Sequence, residues 1–155
     1  MRCQRSSLRI LCGSLLVGGI IHAAASPAKA LELLCDSSFE NCRSEVVSRI
    51  RAEAVGIDVA TWFFEDRTFT NELIARWQAG VPVRVIGDPD ANVQHPLNKT
   101  LLDELAAAKI PVRHKVSSGI EHWKMMLFAG QHVVYFGSAN FSADANDAVF
   151  IEVAE

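Results

Sequence analysis

Residues 57–87 read IDVATWFFEDRTFTNELIARWQAGVPVRVIG, and two different periods alternate within that stretch. Ile57, Val59, Thr61 and Phe63 recur at every second position, the pattern of a strand. Residues 68–79 then carry Leu73, Ile74 and Trp77 at helical spacing, and Gly80 supplies the stop. Residues 81–86 are a β-branched run closed by the turn Gly87-Asp88-Pro89-Asp90. A strand, a helix and a strand in that order predict a parallel pair with a crossover helix.

The pattern extends in both directions. Residues 31–35 form a short apolar run that reads as an entering strand. Residues 43–55 place Val46, Val47, Ile50 and Ala54 on one helical face, and Gly56 ends it. A polar loop leads to Pro96, residues 97–109 read as a helix, and residues 110–116 as a further strand. Strand–helix repeated three times predicts an α/β layered fold, a mixed and mostly parallel sheet flanked by helices. The tail differs: apolar runs at 124–128 and 132–136, separated by Ala129-Gly130-Gln131, predict a hairpin. Their continuous apolar character predicts burial on both faces. Residues 148–153 read as a last strand. With no repeat, low-complexity stretch or linker, residues 31–155 are expected to be one domain.

The chain has 155 residues, 50% hydrophobic and 21% charged, which excludes wholesale disorder. Only one apolar run has any length, which excludes a multi-span membrane protein. Arg2, Arg5 and Arg9 precede that run, residues 10–21, and Ala28-Lys29-Ala30 follows it. Residues 1–30 therefore read as a secretory signal peptide, with an uncleaved anchor as the alternative. The run is too short for the roughly 30 Å of hydrocarbon that a transmembrane helix crosses. Removal of residues 1–30 leaves eleven Lys and Arg against eighteen Asp and Glu, a net charge of −7. Any anion site must then be local. The expected location is secreted or periplasmic. Cys3 and Cys12 leave with the signal. In an oxidising space Cys35 and Cys42 are expected to form a disulfide rather than stay free thiols.

Two short pieces carry chemistry: His122-Trp123-Lys124 before the hairpin and Gly137-Ser138-Ala139-Asn140 after it. A hairpin returns on itself, so imidazole, ammonium, hydroxyl and carboxamide are expected to converge at one end of the sheet. A nucleophilic histidine beside a fixed cation and an amide donor suits attack on a phosphodiester. Asp88-Pro89-Asp90 with His95 offers a divalent-ion alternative, but Asp before Pro reads first as turn chemistry.

His-x-Lys, an apolar strand, a turn, a second apolar strand and Gly-Ser-x-Asn together resemble the signature of the phospholipase D superfamily. Trp62-Phe63-Phe64 after a strand and Ala79-Gly80-Val81-Pro82-Val83-Arg84-Val85 after a helix resemble the stretch upstream of that motif. The resemblance implies that His122 is the nucleophile that forms a phosphohistidine. It implies that Lys124 and Asn140 hold the phosphate, that Ser138 supports the nucleophile, and that no metal or cofactor takes part. Lipid head-group hydrolysis is the favoured activity, with peripheral membrane contact. A secreted endonuclease without sequence preference and a non-catalytic phosphate-binding domain are the alternatives.

The sequence departs from the family pattern in two respects. Ala129 stands where an Asp is usual, and the span from Lys124 to Gly137 is one residue longer, which a bulge at the turn would absorb. Asp147 and Glu152 are candidates for the carboxylate that holds the nucleophile in family members. A phosphohistidine route also needs a second imidazole as acid. The family takes it from a second copy of the motif, so the expectation is a homodimer pairing two His122 side chains, or a longer two-motif protein of which this chain is the first part. His95, His114 and His132 lie outside any such motif.

Overall fold

A computed structural model describes residues 31–143 and 149–154. In chain order the elements are β1 (Leu31–Asp36), α1 (Cys42–Ala52), β2 (Ile57–Thr61), β3 (Phe64–Glu65), α2 (Arg67–Gln78), β4 (Val83–Gly87), α3 (Ala91–Gln94), α4 (Pro96–Ala107), β5 (Val112–His114), β6 (Lys124–Phe128), β7 (Val133–Gly137), β8 (Phe141–Ser142) and β9 (Val149–Ala154). Each long helix starts for a local reason. The Asn41 side chain accepts the Ser44 N–H at the head of α1, Asp66 accepts those of Thr68 and Phe69 at the head of α2, and Pro96 opens α4. Gly80 follows α2 with φ +89°, and Lys109 takes the corresponding left-handed role after α4 with φ +73°. Helix α4 therefore stops at Ala107, short of the expected Lys109.

Seven strands form one sheet in the order β1-β9-β7-β6-β2-β4-β5, and β3 and β8 form a separate parallel pair. The fold is the expected α/β class with a mixed sheet flanked by helices. β2, β4 and β5 pair in parallel, while the pairs from β1 to β2 through β9, β7 and β6 are antiparallel. Five of the seven strands consequently point the same way, and only β6 and β9 oppose them. The strand that enters at Leu31 joins the edge beside β9 rather than β2.

Alternate strand residues meet the helices on one face. Ile57, Val59, Val85, Met126, Phe128 and Tyr135 are buried against Val46, Ile50, Leu73, Leu101 and Leu105. The opposite face corrects the expectation of burial on both sides. Met125, Leu127 and Val134 are half-buried there and Phe136 is exposed. On that face Arg84 Nε donates to Asp58 Oδ1 at 2.6 Å across the β2–β4 register. Cys35 at the end of β1 and Cys42 at the start of α1 are joined by a disulfide, with Cα atoms 5.8 Å apart. Residues 1–30, read above as a signal, lie outside the described residues. No helix among the described residues is long and apolar enough to cross a membrane.

Candidate active site

One end of the sheet collects the ends of β2, β4, β5 and β7 and the start of β6, because β6 runs antiparallel to both its neighbours. Trp62 follows β2, Asp88 follows β4, Lys115 follows β5, His122 precedes β6 and Ser138 follows β7. Open α/β sheets hold their ligands at this end.

The Trp62 N–H donates to the Trp123 carbonyl at 2.8 Å, extending the β2–β6 ladder one step past Thr61 and Lys124. That bond fixes the backbone beside His122. The His122 side chain is exposed, with its ring 4.7 Å from Trp62 and tilted 53° to it. Lys124 is the opposite case. It is only 5% exposed, Nζ donates to the His122 carbonyl at 3.0 Å, and the ammonium sits 5.5 Å from the Trp62 ring. Burial pushes its pKa below the usual lysine value. An ammonium has three N–H donors, so two remain for an anion.

One step beyond the paired Met125 and Phe136, Lys124 stands opposite Gly137. His122, Lys124 and Gly137 line one groove that continues along Trp123, Met125, Val134 and Phe136. Ser138, exposed, and Asn140, half-buried, lie just beyond it along the chain. The Asn140 Oδ1 is buried and has no hydrogen-bond partner among the described residues. It lines a different cavity, with Arg43, Phe69 and Tyr135. His122 and Lys124 are thus brought together, and no described contact joins Ser138 or Asn140 to them.

The loop that delivers His122 hangs on Asp88, a residue read from sequence as part of a turn or as a divalent-ion ligand. Its buried carboxylate accepts the N–H of Glu121 at 2.7 Å and of Asp90 at 2.9 Å, and Lys115 Nζ lies 3.4 Å away. The Lys115 N–H donates to the Gly87 carbonyl, so the loop is tied at both ends. Burial alone would raise the Asp88 pKa; the two amides and Lys115 outweigh it and hold it low. Asp88→Ala is expected to lower turnover by roughly 10- to 100-fold through displacement of His122, with a smaller effect on KM, measured by steady-state kinetics. The sequence signal is an acid at a strand end with a lysine near the end of the next strand.

The same contacts involve the residues of the divalent-ion alternative. Asp88 is committed to amides and Lys115, His95 faces Glu65, and no metal-holding cluster occurs among the described residues. Asp147 lies outside those residues. Glu152 lies on β9, paired with Leu33 and Tyr135.

Both departures from the motif have a structural account at the far end of the hairpin. The extra residue enters a four-residue turn, 129–132, where His132 adopts φ +56°, and the ladder runs unbroken from Met125–Phe136 to Phe128–Val133. No bulge is needed. The turn that follows Ala129 is held by a different carboxylate, Glu53, fully buried just past α1. Glu53 Oε1 accepts the N–H of Val55 at 2.7 Å, Gly56 at 3.1 Å and Gly130 at 2.8 Å, and Oε2 accepts Gln131 Nε2 at 3.2 Å. A Cβ on Gly130 would lie 2.6 Å from that oxygen, so glycine is required there.

Residues 46–150 match the family model described as "Cardiolipin synthase, PLD-like domain". No curated protein matches the chain by sequence. Among solved structures, the phospholipase D family member Nuc from Salmonella typhimurium is similar at a TM-score of 0.74 and 22% identity, over 82% of this chain and 84% of that one. NucT from Helicobacter pylori is similar at 0.68 and 19%, over 82% and 87%. Phosphatidylserine synthase from Haemophilus influenzae gives 0.64 and 11%, over 81% of this chain but 34% of the other. At these identities the likeness is one of fold.

Proposed function

The chain belongs to the phospholipase D-like domain family, and from that membership we propose that it hydrolyses phosphodiester bonds through a phosphohistidine on His122. The observation that carries the proposal is the pair formed by an exposed His122 and a buried Lys124. Both lie against Trp62, whose ring packs on the His122 imidazole and faces the Lys124 ammonium. A lone pair of the neutral imidazole forms the P–N bond as the P–O bond to the leaving alcohol breaks. The leaving oxygen takes a proton from an acid in the cleft. Water then attacks phosphorus, the P–N bond breaks, and His122 returns neutral with release of the monoester. Lys124 and the Asn140 amide hold the nonbridging oxygens, and Ser138 supports the nucleophile.

A phospholipid head group is the favoured substrate. The groove from His122 runs along apolar side chains, Trp123 beside it is 57% exposed for peripheral membrane contact, and the net charge of residues 31–155 disfavours a polyanion. A nucleic-acid substrate is the second reading, favoured by the half-exposed Trp62 ring as a stacking face. Action outside the cytoplasm, after loss of residues 1–30, fits the Cys35–Cys42 disulfide. A homodimer that brings two motifs to one cleft completes the reading.

The test is turnover of bis(p-nitrophenyl) phosphate with and without EDTA, where EDTA-resistant release of nitrophenol is expected. Phosphate binding with no turnover would leave a non-catalytic domain. Phosphatidylcholine vesicles against DNA over a salt series separate the substrates, since phosphate contacts to DNA weaken steeply with salt. Activity is expected to fall on the acid side, because the nucleophile must be neutral. It should fall again in alkali below the usual lysine range, because the depressed pKa of Lys124 removes the phosphate-holding charge early. A profile flat across both regions overturns these roles.

A further inference from the structure

The apolar side chains that the fold leaves most exposed gather at the end of the sheet that carries His122. β1 runs parallel to β7, so its exit loop opens at the same end as those of β4 and β5. Phe39 after β1 is 88% exposed, Val93 after β4 is 86% exposed, and Val116 after β5 is fully exposed. Ile120 at 66% and Trp123 at 57% share a loop with Val116, next to His122. At the opposite end, Val55 is the one large apolar side chain among the described residues with comparable exposure. Apolar residues scattered singly over a surface call for no explanation, but a gathering at one end, around a site, does.

The tips are braced. The loop that carries Phe39 is closed by the Cys35–Cys42 disulfide, and the N–H groups of Phe39 and Glu40 donate to the Asp36 carbonyl at 3.0 and 2.8 Å. Val93 and Ile120 hang from one buried carboxylate. Asp88 accepts the Asp90 N–H at the entry to α3 and the Glu121 N–H beside Ile120. Side chains already held in place lose little freedom on binding. Six strand-to-strand steps separate β1 from β5, roughly 29 Å, with β6 and His122 between them.

Shape and charge select the occupant. A protein partner meets a continuous apolar core, whereas these side chains project singly among Ser37, Ser38, Ser117 and Ser118. A fluid lipid surface takes separate wedges, each sinking past the head groups. Arg43 is committed to Asp66 and Lys115 to Asp88, and the exposed Arg113 of β5 is balanced by Asp90, 78% exposed. That balance offers no pull towards anionic lipid.

We propose that this rim seats the protein on a zwitterionic phospholipid bilayer, with the mouth of the His122 site against the head groups. The inference rests on the lipid reading above and adds the surface through which that substrate is reached.

Phosphatidylcholine vesicles with brominated acyl chains test it, on the full chain with one added tryptophan. Val116→Trp is expected to lose roughly half of its added emission to the bromines, and Val55→Trp, at the opposite end, none. Equal quenching at both positions, or quenching at neither, overturns the inference. A second variant combines Phe39→Ser, Val93→Ser and Val116→Ser. Its kcat/KM on vesicle phosphatidylcholine should fall by roughly tenfold or more. On bis(p-nitrophenyl) phosphate, which needs no surface, it should stay within about twofold of wild type. Equal losses on both substrates, or no loss on vesicles, overturn the inference, and so does a wild type that prefers phosphatidylglycerol vesicles. Quenching confined to position 116 in a protein that turns over neither substrate supports the docking surface and brings down the lipid-hydrolase reading alone.

Discussion

Replacement of His122 by alanine should cut turnover of bis(p-nitrophenyl) phosphate by about 10⁴-fold or more, the scale of losing a covalent nucleophile. The fold should survive. The side chain is exposed, its described contact is one ring packing on Trp62, and the backbone on either side is held by other groups. The thermal midpoint of the variant should therefore stay within a few degrees of wild type, and rapid acid-free quenching should trap a phosphohistidine in wild type alone. His132→Ala is the matching control. That histidine is also exposed, but it sits in the 129–132 turn at the opposite end of the hairpin. A His122→Ala variant that keeps a tenth of the activity would remove His122 from the nucleophile's role, whatever the family pattern implies.

The contrast between those two histidines was legible before any coordinates, because a hairpin that runs from 124 to 136 sorts residues by which end they occupy. β6 falls on Lys124–Phe128 as expected, since a run of large apolar side chains bounded by charge and Gly leaves little latitude. The strand–helix alternation over 57–87 held for the same reason. What escaped were elements too short to have a period. β3 and β8 are two residues each, and their pairing joins Phe64 to Phe141 across about half of the chain. The four-residue α3 lay inside a polar loop. The face carrying Met125, Val134 and Phe136 was misread because apolar strand residues state a preference for burial without stating what covers them.

At the site, the residues that touch substrate in this reading were found by type and spacing, and the residues that aim them were not. Trp62, Asp88 and Lys115 act through loops that converge only once the sheet is assembled. Their sequence neighbourhoods read as the stretch upstream of the motif, a turn and a strand. The helical stripe of α1 shows the same limit in a single position. Ala54 was expected to be buried, but the helix ends at Ala52, Ala54 is exposed, and the buried place goes to Glu53. A carboxylate loses that contest on hydrophobicity and wins it because amide donors from two separate segments converge on it.

Removal of that carboxylate should be the most destabilising single change in the molecule. Glu53→Ala leaves the part-buried N–H groups of Val55, Gly56 and Gly130 and the Gln131 amide without their acceptor. The expected loss is about 3–5 kcal/mol, a large share of the roughly 5–15 kcal/mol that holds a domain together. Glu53→Gln should cost less, since one oxygen still accepts. Burial alone would raise the Glu53 pKa, but the hydrogen bonds from Val55, Gly56, Gly130 and Gln131 outweigh it and hold it below its ordinary value. A folded-state pKa below the unfolded one gives stability that is complete above the unfolded value of about 4.3 and is lost as pH falls through the folded one. Wild type should therefore lose stability on acidification below about pH 5, and Glu53→Ala should lose less over the same interval. Ala129→Asp then separates the local role of this carboxylate from catalysis. Alone, it sets a second negative charge beside Glu53 and should destabilise. Combined with Glu53→Ala, it returns a carboxylate to the turn and should recover part of the lost thermal midpoint. The five residues of β6 put about 16 Å between that turn and His122, so once folded the double variant should turn over diester at nearly the wild-type rate. Recovered stability with activity still lost would mean that the turn and the site are coupled through the hairpin, and that Ala129 matters to the chemistry after all.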